Sequence, residues 1–211
     1  MQLTVGTDST WSLRAWICAQ IAGVEVDISV IDLTSTEYKA KIQQQSKAGQ
    51  VPFLIDNSVE KQGKQALIYD SLAIAEYLNE RSEGALLPRD ISDRALARGL
   101  CAELHSGFMA LRSNCPFSLQ AVSPLSEINS DIQKELDRLV QIFESAKGPF
   151  MFGSATMVDA FYAILAFRLA HYGLKLEGKA GAYQQSLLQW NLLKAATEKA
   201  KQWNQQAKQT S

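Results

Sequence analysis

The sequence predicts an α/β N-terminal domain followed by an all-α C-terminal domain. Short β-rich runs and helix-patterned runs alternate as far as Arg81, and beyond Asp93 only helix-patterned runs occur. Between them, Ser82-Glu-Gly-Ala-Leu-Leu-Pro88 has no helical repeat and is punctuated by Gly84 and Pro88. At 211 residues the chain exceeds the commonest domain size of roughly 100–150, so it has room for two cores. The expected division is a first domain over residues 1–81, a linker over 82–92 and a helical domain over 93–211.

In the first domain, Gln2 to Val5 reads as a short strand and Trp11 to Ala22 as a helix. Val24 to Ile31, with alternation at Val26, Ile28 and Val30, reads as a strand, and Thr34 to Ser46 as a polar helix. A β-α-β unit of this kind takes the form of a parallel strand pair with a right-handed crossover. Next come Val51-Pro-Phe-Leu-Ile55, the turn-rich Asp56 to Lys64, and Ala66 to Tyr69, which predict a β-hairpin with a long loop. A helix from Asp70 to Arg81 closes the module. The order β-α-β-α-β-β-α is that of a thioredoxin-like fold. In the second domain Ala95 to Leu111, Ile128 to Ala146, Met157 to Tyr172 and Leu187 to Asn204 each carry apolar residues at helical spacing. Thr156 and Asp159 have the spacing of a capping box, with Asp in place of the usual Glu. No internal repeat or low-complexity tract occurs.

Charge and cysteine content restrict the function. Lys plus Arg total 21 against 22 for Asp plus Glu, a net charge of −1, so nothing marks the chain for nucleic acid or an anionic membrane. Cys18, Cys101 and Cys115 are odd in number and lack metal-ligand spacing, which argues against a disulfide framework and against a zinc site; no metal is expected. A reducing, cytoplasmic setting fits. No basic n-region followed by an apolar run opens the sequence and no run of about 18 apolar residues occurs, so neither export nor a membrane span is expected.

Three segments can carry chemistry. Ser9-Thr10-Trp11-Ser12 follows the first strand and opens the first helix, where a hydroxyl and free helix N–H groups can converge on an anion; the same residues are good N-caps. Val51-Pro52 opens the third strand. An X-Pro bond there is either an ordinary trans start or a cis bond, which leaves the main chain of the preceding residue open to pairing with an extended peptide. Asp70-Ser71 stand at the positive end of a helix, where they can cap it, hold a carboxylate or receive an ammonium group. Trp11 and Trp16 on the first helix read as packing residues.

As a set, the hydroxyl segment, Gln50-Val51-Pro52, Asp70-Ser71 and the all-helical second half resemble a cytosolic glutathione transferase across nearly the whole chain. Ser9-Thr10-Trp11-Ser12-Leu13-Arg14 looks like the serine-type members, a zeta-like and bacterial group with an S-S-W-S-L-R stretch. The resemblance implies that Ser9 is the catalytic serine, with Ser12 in the first turn of the helix. It implies that Thr10, Gln50, Val51, Pro52, Asp70 and Ser71 bind glutathione as cosubstrate. Glu103 to Arg112 is similar to a segment of the bacterial group whose helix faces the hydrophobic substrate, so Trp11, His105, Phe108, Met109 and Arg112 are the implied pocket. His105 reads more readily as a packed or hydrogen-bonded structural histidine than as a catalytic base, and His171 carries no implied role. Gly153 to Ala160 resembles the buried capping motif of the helical domain, a folding element. The family implies a cytoplasmic homodimer, conjugation of a small hydrophobic electrophile and a part in detoxification. Two other activities stay open: a glutathione-dependent cis-trans isomerase of the maleylacetoacetate type, and a glutathione-binding module without turnover. The Asn57 to Gln65 loop and Cys115-Pro116-Phe117 depart from the family pattern.

Overall fold

The computed structural model describes the backbone of residues 1–61 and 64–210 and, except at Glu60, Lys61, Lys64 and Thr210, the side chains of these residues. By contact density the chain forms two compact units, Met1–Leu86 with Ala195–Ser211, and Leu87–Lys194.

The first unit is built on β1 (Gln2–Gly6), α1 (Thr10–Ala22), β2 (Asp27–Ile31), α2 (Tyr38–Gln45), β3 (Phe53–Lys61), β4 (Lys64–Ile68) and α3 (Ser71–Arg81). The sheet has the order β2-β1-β3-β4. β1 and β2 are parallel, and β3 is antiparallel to both β1 and β4. The expected α/β class and thioredoxin-like order are therefore observed. Phe53 and Leu54 are neighbours on β3, point to opposite faces, and are both fully buried, so both faces of the sheet are covered. One cover is Ile42 of α2, which packs with Ile31 and Phe53; elsewhere α1 and α3 pack on each other.

Element ends differ from expectation for local reasons. β2 starts at Asp27 because Gly23 takes a left-handed conformation and the Val24 N–H bonds back to Ala19 O at 3.0 Å, unwinding α1 over the intervening residues. α2 starts only at Tyr38 because Asp32 Oδ1 accepts both the Thr34 N–H and its hydroxyl, at 2.8 and 2.7 Å, holding the chain in turns. The long loop expected over Asn57 to Gln65 is a correction: β3 runs to Lys61 and β4 begins at Lys64, while Gln62 and Gly63 lie outside the described residues. The polar Asp56-Asn57-Ser58 run marks a register shift between Asp56 and Glu60 within the hairpin. The Val51–Pro52 peptide is cis, as is Tyr69–Asp70.

The second unit contains α4 (Ile91–Ser106), α5 (Met109–Asn114), α6 (Ser130–Glu144), α7 (Met157–His171), α8 (Gly178–Gln189) and the start of α9 (Asn191–Thr210). α7 is buried on nearly every side, as a helix apolar all round must be. Its Tyr162 meets Phe143 at 5.9 Å between ring centroids, and Phe143 meets Tyr183 at 4.8 Å, both edge to face. Two expectations are corrected. The helix expected over Ala95 to Leu111 is two helices, broken at the extended Gly107 and the left-handed Phe108. The spacing of Leu104, Phe108 and Leu111 runs unbroken across the joint because all three face the same core. The helix expected over Leu187 to Asn204 is likewise α8 and α9, parted at an extended Trp190 with neither Gly nor Pro to announce it. Among the described residues no helix is long and apolar enough to cross a membrane, and the three cysteines are free and buried.

Candidate functional site

At the end of β1 the chain is held tightly. A Cβ on Gly6 would lie 2.6 Å from Leu33 Cδ1 and 2.8 Å from Val51 Cγ2, so only glycine permits this closeness. The Thr7 N–H donates to Ile31 O at 3.1 Å and Thr7 Oγ1 accepts the Leu33 N–H at 2.9 Å. Asp8 is left-handed at φ 53°, and its carboxylate accepts Asn204 Nδ2 of α9 at 2.8 Å. Ser9, half-buried, is the N-cap of α1. Its Oγ accepts the Ser12 N–H at 3.2 Å and the Ser12 hydroxyl at 2.9 Å, and Ser12 Oγ accepts the Gly6 N–H at 3.2 Å. With both acceptor positions of Ser9 Oγ filled, its own proton is left to donate.

Strand register brings the other segments to the same end of the sheet. Thr4 pairs with Phe53, so Gly6 stands level with Val51, beyond the last pair of the ladder. Leu54 pairs with Ile68, which sets Pro52 level with Asp70. Asp70 is the N-cap of α3, its Oδ1 accepting the Leu72 and Ala73 N–H groups at 2.9 and 3.4 Å. Ser71 is fully buried, and its hydroxyl has no hydrogen-bond partner among the described residues. Ser9, Thr10, Val51, Pro52, Asp70 and Ser71 thus share one sheet end, and Gln50, just before Val51, is exposed. At the start of α1 the Arg14 guanidinium lies 4.3 Å from the Trp11 ring centroid. Burial pushes the Cys18 thiol far up, against the opposing charge of Arg14, which removes it as a thiolate nucleophile at neutral pH.

The remaining candidates lie in the second unit. His105 occupies the last turn of α4 and is half-buried. Phe108 is 5% exposed and meets Tyr162 edge to face at 6.4 Å, so its ring packs in the unit's own core. Met109 is 55% exposed. Arg112 Nη1 donates to Gly107 O at 3.3 Å and lies 3.4 Å from Met109 Sδ. Burial lowers the Arg112 pKa, and the charge of Glu135 opposes this. Glu135 was not foreseen from sequence: its carboxylate accepts the Ala110 and Leu111 N–H groups at 3.1 and 2.8 Å, capping α5 from α6. The direct bond from Ser12 to Ser9 was also missed, because Ser12 carries no signal beyond its place in a first turn.

A four-stranded mixed sheet of this topology followed by a helical unit, with a hydroxyl at the start of α1, defines a fold of the glutathione transferase class. Residues 8–81 match the family model described as glutathione S-transferase, N-terminal domain. A probable maleylacetoacetate isomerase of Caenorhabditis elegans is 35% identical over 107 residues, covering 50% of this chain and 46% of that protein, so the match spans about half the length of the relative. Among solved structures, a glutathione transferase homolog from Burkholderia with bound glutathione has a TM-score of 0.67 at 23% identity, covering 95% of this chain and 97% of that one. A maleylacetoacetate isomerase from Anaeromyxobacter dehalogenans with glutathione in its active site has a TM-score of 0.64 at 23% identity, covering 92% and 93%. At these identities the two structures share the fold with this chain.

Proposed function

We propose that the chain is a glutathione transferase that joins the glutathione thiolate to a small hydrophobic electrophile, with Ser9 as the catalytic residue that donates to the sulfur. The observation that carries this reading is the Ser9 hydroxyl, with both acceptor positions occupied, at the sheet end shared by Val51 and the start of α3. Glutathione offers a thiol, an extended peptide and a terminal carboxylate and ammonium pair. Val51 suits the peptide as a strand-like partner. The buried Ser71 hydroxyl and the positive end of α3 suit a carboxylate, and Asp70 suits the ammonium.

The gain from ionising the sulfur can be bounded. Given a cysteine-like pKa of about 8.5, roughly 3% of the thiol is ionised at pH 7; a drop of two units raises this to about three-quarters, a gain of about 25-fold. Nucleophilicity falls with pKa at a slope of about 0.4–0.5, which gives back roughly 6- to 10-fold. Holding the electrophile beside the sulfur therefore supplies more of the rate than ionisation does. In the first unit Trp11 is proposed for that task; in the second unit His105, Phe108, Met109 and Arg112 are proposed as contacts of an apolar substrate. The sulfur attacks the electrophilic carbon and a C–S bond forms; with an aryl halide the C–halogen bond breaks and halide leaves as the anion, and with an epoxide the C–O bond opens and its oxygen takes up a proton.

A second reading is favoured by the two relatives named maleylacetoacetate isomerases: the thiolate adds to a cis double bond and leaves again after rotation, so glutathione is not consumed. Purified protein assayed with glutathione against aryl halides, epoxides, hydroperoxides and maleyl compounds separates the two. A glutathionyl product supports the transferase, and a trans product without a glutathionyl group supports the isomerase. Absence of both, with glutathione still bound, overturns catalysis.

A further inference from the structure

We propose that Ser12 is a positioning residue for the thiolate donor, orienting the Ser9 hydroxyl and polarising it toward the glutathione sulfur. This rests on the reading of Ser9 given above. An N-cap needs one side-chain acceptor for a first-turn N–H, and the bond from the Ser12 N–H to Ser9 Oγ already supplies it. The second bond, from the Ser12 hydroxyl to the same oxygen at 2.9 Å, adds nothing to the cap. It fills the remaining acceptor position of Ser9, so what Ser9 has left to offer is its own proton.

The chain of bonds begins at a main-chain group. Gly6 N–H can only donate, and it donates to Ser12 Oγ from the end of β1 at 3.2 Å. The Ser12 hydroxyl donates to Ser9 Oγ, and the Ser9 proton is left to donate in turn. Donors linked head to tail strengthen one another, so Gly6 N–H and the Ser12 hydroxyl together make Ser9 a better donor to a negative charge than an isolated serine. Burial gives the same message. Ser12 has no exposed surface, on a stretch of α1 where Leu13, Ala15, Ile17 and Ala19 are equally buried, and a hydroxyl there costs stability unless its bonds are made. The ring closes through the Ser9 N–H, which donates to Gly6 O at 3.2 Å.

The test measures the thiol pKa of bound glutathione by thiolate ultraviolet absorbance, with glutathione affinity followed in parallel. It uses Ser9→Ala, Ser12→Ala, Ser12→Thr and the Ser9→Ala/Ser12→Ala double variant. Ser12→Ala is expected to raise the thiol pKa by about half a unit, about a threefold change in ionisation constant, with affinity nearly unchanged. Ser12→Thr, which keeps the hydroxyl, returns the pKa toward that of the parent. In the Ser9→Ala background, removal of the Ser12 hydroxyl moves the pKa no further. A Ser12→Ala shift that persists undiminished without the Ser9 hydroxyl overturns the proposal, as does no shift at all while Ser9→Ala raises the pKa. If Ser9→Ala itself leaves the thiol pKa unmoved, the reading of Ser9 fails, and this proposal with it. Should Ser12→Ala not fold, Ser12→Cys, a weak donor of similar size, gives the same readout.

Discussion

Two capacities meet in Ser9, the observed N-cap of α1 and the proposed donor to the sulfur, and a single substitution separates them. As N-cap of α1, its loss costs about 1 kcal/mol of stability. As donor to a charged sulfur, its loss costs about 1.5–3 kcal/mol of transition-state stabilisation, or roughly 10- to 150-fold in rate. Ser9→Ala is therefore expected to melt slightly earlier, bind glutathione almost as well and turn over far more slowly; unchanged turnover beside an earlier melt would leave only the cap. Asp70 also caps a helix, so Asp70→Ala should destabilise α3 by about 1 kcal/mol. Its proposed contact is with bound glutathione before reaction, so the Michaelis constant for glutathione should rise more than kcat falls. Steady-state kinetics at varied glutathione decides this, and a kcat that falls alone would place recognition elsewhere.

Among the helices and strands, two buried carboxylates fasten elements together. Asp159 on α7 accepts the Met151 and Thr156 N–H groups, each at 2.8 Å, the Thr156 hydroxyl at 2.9 Å and the Tyr183 hydroxyl of α8 at 2.7 Å. Burial pushes its pKa up, against all four donors. Asp159→Ala strands these donors and should cost about 3 kcal/mol or more, whereas Tyr183→Phe removes one bond for about 1–2 kcal/mol; urea unfolding checks the order. Asp56 on β3 is the counterpart in the first unit. Burial raises it, but the Ser58 hydroxyl, Tyr77 hydroxyl, Ser58 N–H and Arg81 charge together outweigh burial and hold it below the ordinary carboxylate range. A depressed pKa stabilises the fold above the unfolded value of about 3.9, and the contribution is lost as pH falls through the folded value. Asp56→Asn should therefore be less stable than the parent at pH 7, with the gap closing below about pH 4. A gap that is constant with pH would mean that the charge of Asp56 does not contribute.

For the whole molecule, the proposed state is a twofold homodimer. Each unit leaves large apolar side chains uncovered: Leu67 at 38% and Tyr69 at 52% exposure in the first, and Ile91 at 73% and Leu96 at 49% on α4 in the second. Such surface is ordinary when scattered singly and marks an interface when a partner covers it. Light scattering over micromolar concentrations is expected to give twice the chain mass of 23.3 kDa. A monomeric mass would reject the dimer, and Tyr69→Glu should shift a real one toward monomer.

The sequence by itself determined the class of the fold and the location of the candidate site. Alternation at Val26, Ile28 and Val30 and the helical spacing from Asp93 onward are local periodicities, and local periodicity survives in one dimension. Thr156 and Asp159 were legible for the same reason, since a capping box closes within one turn. What only the tertiary structure decided was made by residues distant in sequence or by signals with two meanings. The polar run at Asp56 serves a strand irregularity as readily as a loop. The apolar stripe across Gly107 hides a helix break because both helices face one core. Glu135 reaches α5 from a separate helix, and Ser12 matters through a bond from Gly6 that exists only once β1 and α1 are folded together. Hydrogen bonds between elements depend on where the elements lie, and that position is set by packing the whole core rather than by any window of residues.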